Sequence, residues 1–186
     1  MNRNFSACVI SLTSLYFGLL MLSQASIATV TENTNNGFFR YPHTNGSSIV
    51  FTSEGDLWQT SIDGGIAVRL TTHDGEERYA KYSPDGTWIA FSGQEDGQDD
   101  VFVIPSTGGE PRRLTYHPAS DQVIGWTKDG KVLFRSRRDH PTRGYRIYTI
   151  SPDGGFPQWI ELEKAALMSF EPKGDRIAFN RYSREF

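Results

Sequence analysis

The strongest constraint on this chain is a turn that returns about every 44 residues. Asn45-Gly46, Asp85-Gly86, Asp129-Gly130 and Lys173-Gly174 place their glycines 40, 44 and 44 residues apart. Each turn is followed by a short apolar run ending on phenylalanine: Ile49-Val50-Phe51, Trp88 to Phe91, Val132-Leu133-Phe134 and Ile177-Ala178-Phe179. A second marker keeps step, since Gly64-Gly65, Gly108-Gly109 and Gly154-Gly155 are spaced by 44 and 46 residues. A strand-like segment precedes each pair, and Leu70, Leu114 or Ile160 follows it by five residues. A period in this range is the mark of a protein built from stacked copies of one small unit.

The chemistry of the turns dictates the unit. Asn-Gly and Asp-Gly supply the positive φ angles of a two-residue hairpin and so join two antiparallel strands. The Gly-Gly pair turns the chain again, giving four strands in about 44 residues. Such a four-stranded meander has the size of one blade of a β-propeller. The expected fold is therefore all-β: a β-propeller of four-stranded antiparallel blades, incomplete, with about three and a half blades over residues 37–76, 77–120, 121–165 and 166–186. In the second unit the strands are expected at Arg78 to Tyr82, Thr87 to Ser92, Asp100 to Ile104 and Arg112 to Thr115. The glycines, phenylalanines and tryptophans are then turn and core residues, because a blade buries both of its faces and needs continuous apolar runs.

The first 28 residues read differently. Arg3 is followed by an uncharged, mostly apolar stretch from Ala7 to Leu22, and then by small residues at Ser23, Ala25, Ser26 and Ala28. This is the pattern of a signal peptide over residues 1–28, cleaved after Ala25 or Ala28, and it predicts an exported protein, periplasmic or secreted. The run is shorter than the roughly 20 residues that cross a bilayer comfortably, so a membrane is expected as partner only if the leader is retained. The mature part, 29–186, keeps 18 basic and 22 acidic residues and no cysteine, Cys8 lying in the leader. It has neither disulfide nor thiolate chemistry, and its acidic balance argues against nucleic acid.

At Tyr82-Ser83-Pro84-Asp85-Gly86-Thr87-Trp88-Ile89-Ala90-Phe91 and Pro105-Ser106-Thr107-Gly108-Gly109-Glu110-Pro111-Arg112-Arg113-Leu114-Thr115 the repeat resembles the WD40-like propeller repeats of tricorn-type proteases and of TolB-type periplasmic proteins. The first repeat begins at Gly37-Phe38-Phe39, directly after the leader, and the stretches Ile49 to Trp58 and Trp126 to Thr149 are similar to the N-terminal six-bladed propeller of the tricorn family. That resemblance implies a non-catalytic propeller portion of an exported serine peptidase, gating or channelling peptide substrates and taking part in proteolysis within the full-length enzyme. The family's catalytic Ser and His lie in distant C-terminal domains, so no catalytic residue is carried over. A TolB-like interaction propeller is the rival reading.

A six-bladed ring at this period needs roughly 260 residues, so a truncated ring is expected, with the Arg176 to Asn180 strand as an open edge that favours oligomers or aggregation when the chain is alone. Peptides or protein partners are the expected ligands, and a homo-oligomer is expected of the full-length form.

No metal or cofactor is expected. His43, His73, His117 and His140 are read as single residues of turns or loops without ligand spacing, and the sequence holds no nucleophile elbow, phosphate loop or dinucleotide fingerprint. Two loops at equivalent places differ in sign: Glu95 to Asp100 is acidic, and Arg135 to Arg143 is basic. They are expected to emerge on one side, either pairing with each other or offering Arg135, Arg137, Arg138 and Arg143 to substrate or partner carboxylates.

Overall fold

The computed structural model describes residues 37–139, 144–162, 165–171 and 176–181; the leader, His140, Arg143 and the Lys173-Gly174 turn lie outside them. The described residues form fourteen strands, β1 (Arg40–Thr44), β2 (Ser48–Ser53), β3 (Asp56–Ser61), β4 (Val68–Arg69), β5 (Glu77–Tyr82), β6 (Trp88–Gln94), β7 (Asp99–Pro105), β8 (Arg112–Arg113), β9 (Asp121–Trp126), β10 (Val132–Ser136), β11 (Arg146–Ser151), β12 (Gly154–Trp159), β13 (Ala165–Phe170) and β14 (Ile177–Arg181). They pair in sequence order into three four-stranded antiparallel sheets and a final hairpin, β13-β14. This is the repeated meander of an incomplete propeller, and among the described residues the sheets do not close on themselves. The first strands β1, β5, β9 and β13 lie side by side and form the inner edge.

Alternation along each strand sends side chains to opposite neighbours. In the second sheet, Ile89, Phe91, Phe102 and Ile104 join Val50 and Leu57 of the first sheet in one buried cluster. The intervening Ala90, Val101 and Val103 turn the other way, to Val123, Trp126, Val132, Phe134, Tyr148 and Ile150 of the third. Cross-strand partners Phe91 and Phe102 stack with ring centroids 5.5 Å apart, and Phe134 and Tyr148 do so at the same distance one sheet on. The repeating phenylalanine therefore sits in the core of the first two interfaces, as Phe91 and Phe134, and the strand that carries it is apolar on both faces.

The turns depart from the two-residue expectation. At Asp85-Gly86 only the glycine takes positive φ, 73°. The Asp85 carboxylate instead accepts the Ser83 hydroxyl at 2.6 Å and the Thr87 amide and hydroxyl at 3.1 and 2.9 Å, while the Gly86 amide donates to the Ser83 carbonyl at 2.9 Å. The side chain thus closes a longer loop that a backbone-only hairpin would not need. A two-residue turn with both φ angles positive occurs at Glu54-Gly55 (54° and 91°). The outer strand is also shorter than expected, ending at Arg113 rather than Thr115. Leu114 still donates its amide to the Val101 carbonyl at 2.7 Å, but Val101 donates its own to the Thr115 hydroxyl at 2.9 Å, so a side chain replaces the ladder. Leu57 and Thr71 repeat the arrangement at 2.9 Å in the first sheet.

That threonine belongs to a polar clasp between neighbouring sheets. Asp56, Arg69, Thr71 and Glu77 stand in the same order and spacing as Asp100, Arg113, Thr115 and Asp121, 44 residues later. Arg69 pairs with Asp56, and Arg113 with Asp100 at 2.6 Å. Thr71 bonds Glu77, the first residue of the next sheet, and Thr115 donates to Asp100 at 3.0 Å beside Asp121. Backbone ties run alongside: Thr52 donates its hydroxyl to the Glu77 carbonyl at 2.9 Å, Ser92 to the Asp121 carbonyl at 3.3 Å, and the Val123 amide to Ser92 at 2.8 Å.

The two acidic members differ in one respect. Asp121 is ion-paired with Arg138, whereas among the described residues Glu77 has no cationic partner within ion-pair distance. Burial pushes the Glu77 carboxyl up to about 7, against the hydrogen bonds from Thr71 and the Leu57 amide, with Asp56 adding to the rise. A carboxyl held protonated by the fold stabilises it fully below its unfolded pKa, near 4.5, and that contribution is lost as pH rises to about 7. Replacing Glu77 by Gln should accordingly flatten the fall in stability between pH 5 and 7 and raise stability at pH 8 by up to about 3 kcal/mol; urea unfolding of both proteins across this range measures it, and parallel pH profiles would contradict it.

Candidate functional site

The inner edge carries two β-bulges with an unusual occupant. The β1-β2 register shifts between Arg40 and His43, and the β5-β6 register between Arg78 and Lys81. Tyr41 and Tyr79 sit in these shifts with φ of 54° and 58°, a conformation in which a bulky side chain is strained. Their rings lie 4.4 Å apart between adjacent inner strands. Burial raises the Tyr79 hydroxyl pKa, and Tyr41 and Gln122 of β9 stand beside that hydroxyl. Gln122 in turn accepts from Arg135 Nε at 2.6 Å. A half-buried polar chain, Tyr41, Tyr79, Gln122 and Arg135, thus crosses the first three sheets.

The chain ends in an arginine pair. Arg135 and Arg137 each hold their guanidinium 4.7 Å from the ring centre of Tyr145, and Arg137 is exposed. Its planar donors are pre-set for bidentate binding of a carboxylate.

Arg138, grouped with these by sequence, is engaged inside the fold. Its side chain is 10% exposed, paired with Asp121 and 5.4 and 5.5 Å from the rings of Phe134 and Tyr148. The acidic loop is likewise occupied at home, because Arg113 reaches Glu95 at 3.1 Å, Asp96 at 2.8 Å and Asp100 at 2.6 Å. Of the expected set, the structure brings Arg135 and Arg137 together over Tyr145 and assigns Arg138 to the sheet junction; Arg143 lies outside the described residues. Among the histidines, His43 is a correction to the loop reading: it is part of β1 and half-buried, its Nδ1 accepting the Tyr82 amide at 3.2 Å. The strand continues to Thr44 because the turn opens only at Asn45, whose carboxamide oxygen accepts from the Ser47 and Ser48 amides. His73 and His117 lie outside strands, each accepting an amide two residues ahead. Among the described residues no group of three His, Cys, Asp or Glu is placed to hold a metal ion.

Sequence reasoning missed Tyr41, Tyr79 and Gln122. Bulge positions leave no composition signal, and the tyrosines are 38 residues apart, out of phase with the glycines. The clasp was detectable, since its four positions recur in step.

Residues 36–186 match the family model described as the Tricorn protease N-terminal beta propeller domain. The chain belongs to this family. Tricorn protease homolog 1 of Streptomyces coelicolor is 39% identical over 105 residues, 56% of this chain and 10% of that protein. The Tricorn protease of Thermoplasma volcanium is 31% identical over 150 residues, 75% of this chain and 14% of that protein. The chain thus spans about a tenth of the length of these curated relatives. The crystal structure of the tricorn protease superposes with a TM-score of 0.66 at 22% identity, over 73% of this chain and 14% of that one. TolB from Acinetobacter baumannii superposes with a TM-score of 0.58 at 20% identity, over 80% and 38%. At these identities both likenesses show the fold alone.

Within the tricorn propeller, Arg138 should behave as a structural residue. Arg138→Met leaves Asp121 buried without its cation and should lower stability by about 3–5 kcal/mol. Adding Asp121→Asn should restore much of the loss. Chemical denaturation of the single and double variants checks this, and equal stabilities of the single variant and the parent would refute it.

Proposed function

We propose that this chain is the non-catalytic N-terminal propeller portion of an exported tricorn-type serine peptidase, and that it guides peptide substrates along the inner edge of its sheets. The observation that carries the reading is the polar chain from Tyr41 to Arg135, which ends at the exposed guanidinium of Arg137 over Tyr145. A peptide moving along this edge meets aromatic faces and amide donors, and its terminal carboxylate meets Arg137. Family membership supplies the peptidase context, and the apolar stretch before the small residues near Ala28 supports export.

Charge reversal tests the guiding role in the full-length enzyme. Arg137→Glu should raise KM for peptides with a free C-terminal carboxylate about tenfold, with kcat within about twofold, because a contact remote from the chemistry is lost equally from ground and transition states. Peptides ending in an amide should be unaffected. An unchanged KM for both classes would remove the proposed role. Export has its own check: N-terminal sequencing of the mature protein should start at Ser26 or Thr29, and an intact Met1 would reject it.

A further inference from the structure

A cleft of about 560 Å³ opens at the end of the inner strands opposite to Arg137. The registers set this polarity: Val132 pairs with Trp126 at one end of β10, while Ser136, one residue before Arg137, pairs with Asp121 at the other. His43 of β1, Lys81 and Tyr82 of β5, Trp126 of β9, and Met168 and Phe170 of β13 line it.

Two donors in this wall lack an acceptor among the described residues. Lys81 is half-buried, no described ion pair engages it, and burial lowers the pKa of its ammonium. His43 uses Nδ1 to accept the Tyr82 amide, and burial, then the nearby Lys81 charge, bring its pKa down to about 4. At neutral pH its ring is uncharged, with the proton on Nε2. The acid at the border, Glu171, is already bonded to Arg176 at 2.6 and 3.2 Å. A half-buried ammonium without a counter-charge is held at a cost that an anionic ligand would relieve.

Thr127, Lys128 and Ser169 also border the cleft, and the apolar part of its wall is fixed. Trp126 is 8% exposed and donates its indole N–H to the Lys81 carbonyl at 2.8 Å, so ring and ammonium are tied to one stretch of backbone. Met168 is buried beside it in the next strand and Phe170 is half-buried. Convergent donors beside an apolar wall are the composition of a small-ligand site.

We propose that this cleft binds a carboxylate carried next to an aromatic or aliphatic group, with Lys81 and His43 Nε2–H on the carboxylate and Trp126, Met168 and Phe170 around the apolar group. The site is independent of Arg137 and of the peptide-guiding role. Isothermal titration of the full chain with N-acetyl-phenylalanine, N-acetyl-phenylalaninamide and inorganic phosphate tests it, with circular dichroism confirming the fold of each variant. The acid should bind saturably, and both the amide and phosphate at least about tenfold more weakly. Lys81→Met should weaken the acid by a similar factor, Lys81→Arg should retain it within about threefold, and Arg137→Glu should leave it unchanged. Equal binding of acid and amide by the parent, phosphate binding as tight as the acid, or no saturable binding by the folded parent would overturn the proposal. If Lys81→Met fails to fold, the acid-amide comparison on the parent and Lys81→Arg still decide.

Discussion

The first two seams between sheets depend on a buried polar clasp. Apolar faces alone would let neighbouring sheets slide, because dispersion and burial are not directional. The clasp gives the seam a register. Asp56 or Asp100 fixes an arginine of its own outer strand, a threonine takes over a ladder bond, and the acid that opens the next sheet is held beside it. Every member except the exposed Arg69 is buried or half-buried and needs the others for its hydrogen bonds, so a displaced seam would strand charge in a low-dielectric interior.

The third seam is built differently. Where the first two place aspartate, arginine, threonine and an acid, the third has Arg146, Trp159, Glu161 and Ala165. Arg146 lies 4.5 Å from the centre of the Trp159 ring, so a cation over an aromatic face takes the place of the ion pair. The seam itself is apolar, formed by Leu133, Ile147, Ala165 and Met168. All four positions change together, as expected of a unit whose parts have no stable role alone. Arg138, reaching Asp121 from the loop after β10, adds a cation to the second seam that the first lacks.

The two proposed roles fall at opposite ends of the inner strands. One end is where the clasps, the bulged tyrosines and Arg137 gather. The other holds the Asp-Gly loops, the tethered Trp126 and the uncompensated Lys81. The strain at Tyr41 and Tyr79 is local and is supported by the sheets on both sides.

Much of the fold was legible in the sequence because its cause is local. A glycine that must take positive φ, a strand of fixed length and a phenylalanine on a two-sided face leave the same mark in every unit, so the repeat reports the meander and its strand order directly. The clasp residues were written in the same step, but which of them touch was decided only when two sheets met. The site was less legible for the same reason. Arg137 and Arg138 are neighbours of one residue type, yet one faces solvent over Tyr145 and the other is buried on Asp121; the difference arises from a sheet contact that neither residue encodes. Gln122 accepts from Arg135 and stands beside Tyr79 only because β5, β9 and β10 are neighbours, and His43 comes near Lys81 only across the first seam. By itself the sequence determined the periodic backbone, through turn chemistry and side-chain alternation that act within a few residues. Tertiary structure alone decided which polar groups are paired and which are left open, because burial and charge compensation depend on what arrives from 40 residues away.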